Sequence, residues 1–266
     1  MANNERGAEK TTALITGASS GIGAEFARQL AARGMNLVLV ARREERLAAL
    51  RDELEPKHGI SAEVLVADLL VANDLERVKR RIAELTDLEI LVNNAGFGVL
   101  GNFCEVDIQG QLDMIGIHVL APIHLARAAV GGMIRRERGS IINVSSMAAF
   151  LVGGESNTYC AAKAYVNSFS ESLQDELRGK GVKVQALCPG FTKTEFHSSE
   201  TFAEFDKSPI PKWMWMPAER VVTKSLNSLR GRRVLVVPGV INALIVRSLR
   251  FPLTRPLALA VARPKK

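Results

Sequence analysis

The chain has 266 residues, 47% of them hydrophobic and 24% charged, a composition typical of an ordinary soluble globular protein. Its first ten residues are polar and of mixed charge, so a flexible N-terminal segment over 1–10 is expected, without the apolar stretch of a secretory signal. No run of about 18 uncharged apolar residues occurs, so no transmembrane helix is expected.

The three cysteines are scattered along the chain, at Cys104, Cys160 and Cys188, without a CxxC pair or a Cys/His cluster. No metal site is therefore predicted. Reduced thiols in a cytoplasmic protein are expected.

The net charge of +7 is placed unevenly. Eleven Lys or Arg residues and no acidic residue follow Glu219, whereas residues 1–219 carry a net charge of −4. Such a basic end is typical of a solvated tail, or of a surface that meets an anionic membrane or nucleic acid. Nucleic-acid binding is not favoured, because the basic residues do not alternate there with aromatic ones.

Short runs rich in Val, Ile and Leu alternate with longer helical stretches along the chain. This alternation predicts right-handed βαβ crossovers and a single doubly wound α/β domain of Rossmann type over 11–240, with a parallel sheet of about seven strands. Ligands of such sheets bind beyond the carboxyl ends of the strands. The predicted strands are 12–16, 36–40, 62–67, 89–93, 140–145, 183–188 and 233–238, and the predicted helices are 22–33, 43–55, 72–84, 108–135 and 156–179.

The first strand leads into TGASSGIG, residues 16–23, and then into a helix. The three glycines allow a tight turn and close approach of a diphosphate, and the helix N-terminus offers free N–H groups. The spacing GxxxGxG differs from the usual GxGxxG, so the placement between strand and helix is the stronger argument. The predicted diphosphate-binding residues are Gly17, Ser19, Ser20, Gly21, Ile22 and Gly23.

The second strand ends near Ala41, where an NAD site would carry an acidic residue for the ribose 2′-hydroxyl. Arg42 and Arg43 follow, and two guanidiniums suit a 2′-phosphate. NADP(H) is therefore predicted as the cofactor in preference to NAD(H). The alternative is that these arginines merely pair with Glu44 and Glu45 at a helix start.

Tyr159 and Lys163 stand four residues apart in a predicted helix and so share one face. An ammonium near a phenol lowers the tyrosine pKa, which makes the tyrosine usable as a general acid/base near neutral pH. A YxxxK pair is common by chance, but this one follows the fifth strand, whose end carries Ser145 and Ser146. The sequence therefore predicts hydroxyl groups on the cofactor side of the sheet.

Together these motifs resemble the short-chain dehydrogenase/reductase family, and among its members the bacterial reductases that favour NADP(H). The resemblance covers nearly the whole chain and rests on TGASSGIG, Asp68, NNAG at 93–96, Ser146, YCAAK at 159–163 and PGFTKT at 189–194. Each motif alone is unspecific, whereas the combination in this order is specific. The resemblance implies an oxidoreductase that transfers hydride between nicotinamide and a carbonyl or secondary alcohol carbon.

The resemblance also implies catalytic roles. Ser146, rather than Ser145, would hold the substrate oxygen, and Tyr159 would exchange its proton. Lys163 would bind the nicotinamide ribose and tune Tyr159.

On the cofactor side, the resemblance implies that Asp68 contacts the adenine and that Asn93 stabilises the central sheet. Thr192 and Thr194 would meet the nicotinamide carboxamide. Plain turn chemistry is the alternative for Asn94 and Gly96, and a strand-end cap is the alternative for Asp68. The further cofactor-binding residues implied are Asp68, Leu69, Asn94, Ala95, Gly96, Tyr159, Lys163, Pro189, Gly190, Thr192 and Thr194.

The family's fourth catalytic residue, an asparagine, corresponds to His118 in this chain. In a helix, the N–H of residue 122 would bond to the carbonyl of His118, but Pro122 has no N–H and leaves that carbonyl free. The family asparagine is thought to act largely through its main-chain carbonyl, which holds a water in a proton relay. Three hypotheses follow: the carbonyl acts and the ring is passive, the ring joins the relay and gives pH dependence in the histidine range, or catalysis is impaired.

Residues 191–216 follow the sixth strand, where this fold places substrate-covering loops, and contain six of the chain's 14 aromatic residues. An apolar lid would exclude water and favour a lipophilic ketone or aldehyde. The alternative is that the rings only pack the lid onto the body. The six are Phe191, Phe196, Phe202, Phe205, Trp213 and Trp215.

The basic C-terminal extension, 241–266, mixes aliphatic residues with spaced arginines. Packing or a subunit contact is favoured for it, and peripheral contact with an anionic membrane is the alternative. The long helices 108–135 and 156–179 resemble those through which the family forms dimers and tetramers, so a homodimer or homotetramer is expected. The alternative to an enzyme is a non-catalytic NADP(H)-binding sensor, and His118 at the position of the family asparagine is the residue that supports this alternative.

Overall fold

The computed structural model describes residues 10–152, 155–198 and 210–251. The strands in this part are β1 (Thr12–Thr16), β2 (Asn36–Ala41), β3 (Ala62–Val66), β4 (Leu88–Asn93), β5 (Gly139–Val144), β6 (Val182–Leu187), β7 (Thr192–Lys193), β8 (Met216–Pro217) and β9 (Leu235–Val236). The α-helices are α1 (Gly21–Ala31), α2 (Glu44–His58), α3 (Ala72–Glu84), α4 (Ile108–Ile115), α5 (Ala121–Arg135), α6 (Asn157–Glu176), α7 (Ala218–Ser228) and α8 (Val240–Arg250).

Seven of these strands form one parallel sheet in the order β3-β2-β1-β4-β5-β6-β9. From β1 the strands are added outward to β3 on one side, and from β4 they are added outward to β9 on the other side. The position between β1 and β4 is therefore the topological switch point, where ligands bind in such sheets. The glycine-rich turn follows β1 and NNAG begins in β4, so both lie at that point. The predicted doubly wound, Rossmann-type α/β fold is confirmed. The short strands β7 and β8 form a separate two-stranded sheet.

The central strands are covered by a hydrophobic core on each face. Along β1, Ala13 and Ile15 belong to one core and Leu14 to the other. In β2, likewise, Leu37 and Val38 point into opposite cores. Successive side chains of a strand alternate between faces, so near-continuous apolar runs are what a sheet covered on both sides requires.

The ends of several elements differ from the sequence-based prediction. The helix predicted over 43–55 continues to His58 and stops at Gly59, whose φ of 61° ends it in the left-handed conformation. The strand predicted over 233–238 pairs only at β9, because it lies at the sheet edge and meets only the end of β6. A helix was expected after residue 216 without bounds, where α7 lies, and helix α8 was not predicted. The proposed boundaries of the N-terminal segment and of the C-terminal extension depend largely on residues 1–9 and 252–266, which lie outside the described residues.

The helix predicted over 108–135 contains a π-turn. Residues 116–120 form this turn between α4 and α5, and the Ala121 N–H donates to the Gly116 carbonyl, five residues back. Pro122 is the physical reason for the change, since it cannot supply the α-helical bond to His118. Turns of this kind occur often at functional sites.

By length and composition, the whole run Ile108–Arg135 is apolar enough to cross a membrane. This criterion tolerates up to two charged residues in 18, whereas the expectation rests on an uncharged run, so the expected absence of a transmembrane helix stays a prediction. In the fold, however, Leu125, Ala129 and Met133 on this run are buried in the core beneath the sheet. Core helices of globular proteins have the same composition.

Candidate active site

The glycine-rich turn joins β1 to α1 at the centre of the site. Gly17 and Gly21 have φ angles of 66° and 54°, a conformation that favours glycine. Gly23 is required for space, because a Cβ there would lie 2.3 Å from the Gly17 carbonyl oxygen. Ser20 precedes α1 without a side-chain cap bond, so the first N–H groups of the helix remain available to an anion.

Thr16, which the sequence analysis did not single out, ties the ends of β1 and β4 together. Its Oγ accepts hydrogen bonds from the backbone N–H groups of Asn94 and Ala95, at 2.9 and 3.0 Å. The Asn94 amide donates in return to the Thr16 carbonyl, at 2.9 Å. Asn94 and Ala95 are thus held against Gly17, where the cofactor-binding prediction placed them.

Arg43 extends across the glycine-rich turn. Its guanidinium donates to the hydroxyls of Ser19 and Ser20, at 3.0 and 2.8 Å, and to the Glu195 carboxylate at 3.0 Å. Arg46, one helical turn further along α2, donates to the same carboxylate at 2.6 Å. Sequence reasoning missed Arg46 and Glu195, because their pairing joins residues 149 positions apart.

Arg42 lies on the adenine side of the predicted cofactor site. Its guanidinium is 3.6 Å from the Asp68 carboxylate, which also accepts the Leu70 N–H at 3.0 Å. Asp68 therefore caps a turn, as its alternative interpretation expected, and its contact with the adenine stays a prediction. In the described chain, neither Arg42 nor Arg43 pairs with Glu44 or Glu45, so that alternative is wrong.

A buried row of polar side chains supports the sheet beneath the site. Asn93 donates to Asn143 at 2.8 Å, Asn143 donates to Ser170 at 3.0 Å, and Ser170 donates to the Val166 carbonyl at 2.7 Å. The row connects β4, β5 and α6. This placement agrees with the stabilising role predicted for Asn93.

Ser146, Tyr159 and Lys163 converge at the carboxyl end of β5. The Ser146 hydroxyl accepts the Ala148 N–H at 3.1 Å, and it lies close enough to Tyr159 to lower the pKa of that phenol. Lys163 Nζ lies 5.6 Å from the Tyr159 ring centroid and donates to the Val144 carbonyl at 2.7 Å. Ser145 turns the other way, since its hydroxyl donates to the Lys163 carbonyl. Ser146 is thus the serine that faces the tyrosine.

The Tyr159 pKa differs from the expectation. Packing around the phenol raises its pKa to about 12, and the hydrogen bond from Ser146 only partly opposes this rise. The four-residue spacing of Tyr159 and Lys163 predicts the opposite, a Tyr159 pKa lowered by the lysine. In the structure the Lys163 amine donates to the Val144 carbonyl, and burial is the main cause of the raised Tyr159 pKa. Tyr159 is therefore protonated at neutral pH.

Lys163 is 5% exposed, and this burial lowers its pKa from 10.5 to about 7. The nearby Cys188 thiol acts in the opposite direction but more weakly. Lys163 can therefore gain and lose a proton close to neutral pH.

His118 packs its ring between Gly96 and Tyr159. The ring is 3% exposed, and its centroid is 5.5 Å from that of Tyr159 in an edge-on contact. Nε2 lies 2.6 Å from the Phe97 carbonyl, which can only accept, so Nε2 carries the hydrogen. Burial first, and the charge of Lys163 second, hold the pKa of His118 well below its usual value. The ring is neutral at physiological pH, so we expect no pH dependence of activity from it in the histidine range.

The segment after β6 lies over the site. Gly190 faces Asn242 of α8, and a Cβ on it would be 2.8 Å from the Asn242 amide nitrogen. The Pro189 carbonyl accepts the Met147 N–H at 2.9 Å. Thr192 is buried and donates to the Gly190 carbonyl at 3.0 Å.

Two aromatic pairs of the predicted lid lie in the described residues. Phe196 is 6.1 Å from Tyr159, and Phe191 is 5.3 Å from Trp215, between ring centroids. The Trp213 side chain is largely exposed. Phe202 and Phe205 lie outside the described residues.

Comparison with known proteins gives the family. The family model described as short chain dehydrogenase matches residues 11–204. The chain belongs to the short-chain dehydrogenase family. An uncharacterised oxidoreductase of Myxococcus xanthus is 37% identical over 192 residues, which are 72% of this chain and 76% of that protein.

Two solved dehydrogenases share the fold. One, from Sphingobium yanoikuyae in complex with NADPH, is 34% identical with a TM-score of 0.81, over 95% of this chain and 93% of that one. The bulky-bulky ketone specific alcohol dehydrogenase of Comamonas testosteroni is 34% identical with a TM-score of 0.77, over 86% of each chain. As a short-chain dehydrogenase, the protein is an oxidoreductase that acts on alcohol or ketone groups with NAD(P).

The contacts above fit a dinucleotide cofactor of a short-chain dehydrogenase. The positive-φ glycines and the uncapped start of α1 suit a diphosphate, since any side chain at Gly23 would fill the turn. The exposed guanidiniums of Arg42 and Arg43, which follow β2, suit the ribose end of such a cofactor.

The buried Lys163 gives this short-chain dehydrogenase a stability that depends on pH. Between about pH 7 and 10.5 the folded lysine is neutral while the unfolded one is protonated, so unfolding takes up a proton. The Lys163 contribution to the free energy of unfolding therefore rises with pH in this window. We expect Lys163→Met to stabilise the cofactor-free protein near pH 6 by a few kcal/mol, at roughly 1.4 kcal/mol per pKa unit.

Denaturant unfolding at several pH values measures this gain, which should shrink steadily as pH approaches 10. Lys180→Met, at an exposed position, is the matched control and should show no such trend. A gain that is constant from pH 6 to 10 would contradict the role of the buried charge.

Proposed function

We propose that the protein is an NADP(H)-dependent reductase of lipophilic ketones or aldehydes, with Tyr159 as the general acid/base. The observation that carries the proposal is the convergence of Ser146, Tyr159 and Lys163 beside the glycine-rich turn. Preference for NADP(H) over NAD(H) is supported by Arg42 and Arg43 after β2, together with Ala41 in place of an acidic residue. The NADPH-bound relative from Sphingobium yanoikuyae agrees with this preference.

In this mechanism, the bound cofactor supplies the hydride. Ser146, fixed by the Ala148 N–H, hydrogen-bonds to the substrate oxygen next to the Tyr159 hydroxyl. Tyr159 is protonated at neutral pH and therefore suited to give its proton to a carbonyl oxygen, which favours reduction. Lys163, whose pKa is about 7, replaces that proton. The further step, a water on the His118 main-chain carbonyl, stays a prediction.

Bulky apolar substrates are favoured by the rings around the site. Phe196 stands beside Tyr159, and Phe191 packs on Trp215 in the same segment. The relative from Comamonas testosteroni is specific for ketones that are bulky on both sides, which supports a similar class here.

NADPH oxidation with a panel of ketones and aldehydes tests the proposal. We expect turnover on ketones with two bulky substituents to exceed turnover on acetone. The competing interpretation, a non-catalytic NADP(H)-binding sensor, is not favoured because all three catalytic side chains are present and lie at the carboxyl end of β5. Tight NADPH binding without turnover on any compound would support the sensor instead.

We further propose a homodimer or homotetramer in the cytoplasm. Ile108, Leu112, Ile115 and Leu120 leave apolar side chains exposed on α4 and the π-turn, as a subunit interface would require. The free thiols of the three cysteines agree with a reducing compartment. Light scattering would show a mass above the 28.9 kDa of one chain.

Peripheral membrane contact through the basic C-terminal end stays the alternative for that region. The observation that favours it is the exposure of Val240, Ile241 and Leu244 on α8, ahead of Arg247 and Arg250. Sedimentation with anionic liposomes tests this alternative. Failure to sediment would exclude it.

A further inference from the structure

Three consecutive residues after β7 lie on three parts of the predicted cofactor site. Thr194 covers the glycine-rich turn, since its Cβ would be 3.0 Å from a Cβ on Gly21. Glu195 forms ion pairs with Arg46 in α2 and with Arg43 at the N-cap of that helix. Phe196 packs beside Tyr159. This strap, Thr194–Phe196, spans the site from the arginines to the catalytic tyrosine.

The Glu195 carboxylate is held by two guanidiniums. Arg46 donates to both of its oxygens, at 2.6 and 2.7 Å, and Arg43 donates to one at 3.0 Å. These bonds keep the Glu195 pKa below its usual value. A carboxylate and a phosphate present oxygens of similar charge and spacing to a guanidinium fork, so each can replace the other on the same arginines.

We propose that Arg46 completes the site for the 2′-phosphate of NADP(H), and that Glu195 competes with that phosphate for Arg43 and Arg46. This inference rests on the proposed preference for NADP(H). Arg43 keeps its contacts with Ser19 and Ser20 on one edge of its guanidinium, while the Glu195 contact is the one that the phosphate replaces. Glu195 is thus a specificity-determining residue that acts against the phosphorylated cofactor.

The competition connects the two ends of the site. NADP(H) must break the Glu195 ion pairs to place its 2′-phosphate, whereas NAD(H), which has a hydroxyl there, need not break them. Because Glu195 and Phe196 are adjacent, release of the carboxylate also removes one of the restraints on the chain that places Phe196 beside Tyr159. Binding of the phosphorylated cofactor would therefore open the strap over the catalytic tyrosine.

Cofactor affinities of Glu195→Gln test the proposal directly. Loss of two exposed ion pairs is worth about a three- to tenfold change in binding, so the NADPH dissociation constant should fall by that factor at low salt. The NADH dissociation constant should stay within about twofold. Arg46→Met should weaken NADPH binding by a similar factor and leave NADH binding unchanged.

Glu44→Gln is the matched control, since it removes the same charge from an exposed position at the start of α2. It should change neither affinity by more than twofold. If Glu195→Gln leaves NADPH binding unchanged, or weakens it, the competition does not exist. If the unaltered protein itself prefers NADH, the proposed function fails, and that result is independent of any Glu195 variant.

A second measurement follows the strap itself. Adenosine 2′,5′-bisphosphate carries the 2′-phosphate but no nicotinamide, so it can displace Glu195 without reaching Tyr159. Amide hydrogen exchange at Thr194–Phe196 should then accelerate with this compound and not with 5′-AMP. Equal exchange with both compounds would overturn the release of the strap.

Discussion

Replacing Tyr159 by phenylalanine is expected to lower turnover by about a thousandfold, since a positioned general acid contributes roughly 10²- to 10⁴-fold. The variant removes only the hydroxyl that Ser146 contacts, and it keeps the ring against His118 and Phe196. The NADPH dissociation constant should therefore change by less than about threefold. Initial rates of NADPH oxidation and a binding titration measure the two quantities separately.

Tyr165→Phe is the control on the same helix. Tyr165 is 43% exposed and stacks on Phe169, away from the catalytic cluster, so its hydroxyl should be dispensable. A Tyr159→Phe protein that keeps more than a tenth of the turnover would show that another group gives the proton.

Replacing Gly96 by alanine is expected to destabilise the protein by about 2–3 kcal/mol, the usual cost of overfilling a packed site. A Cβ on Gly96 would lie 2.1 Å from Cε1 and 2.7 Å from Nδ1 of the His118 ring. The ring cannot easily move away, because it is buried and its Nε2 is bonded to Phe97. Denaturant unfolding measures the loss, and displacement of the ring should lower turnover through its contact with Tyr159.

The His118→Ala background shows whether the ring is the cause. With the ring removed, the cost of Gly96→Ala should fall below about 1 kcal/mol, which a double-mutant cycle detects. Gly131→Ala in α5, where the nearest atom is 3.6 Å away, should be neutral or stabilising by up to about 1 kcal/mol. An equal loss with and without the His118 ring would rule out this clash.

The order of elements was predictable because the apolar runs are short, regularly spaced and separated by helical stretches. β1 shows why: all five of its residues are buried, and its three central residues, Ala13, Leu14 and Ile15, are apolar. Helix α8 was not predicted, since Val240–Arg250 mixes apolar residues and arginines and stands within a basic tail. The edge strand β9 was predicted too long, because its pairing depends on a neighbour far away in the sequence.

In the candidate site, residues of local motifs were predictable and long-range partners were not. Tyr159 and Lys163 share a helix face by their spacing alone. The contacts of Thr16 with Asn94, and of Arg46 with Glu195, depend on the fold bringing distant segments together. The direction of the Tyr159 pKa shift could not be predicted from the sequence either, because its main cause is burial, which only the fold determines.

The π-turn determines the directions in which the side chains after it point around the helix axis. A π-turn holds about one residue more than an α-turn, which rotates all that follows by roughly 100° relative to a continuous helix. This offset lets His118 face Tyr159 while Leu125 and Met133 face the sheet. A single-residue deletion within the turn would therefore turn one of these two faces away from its partner.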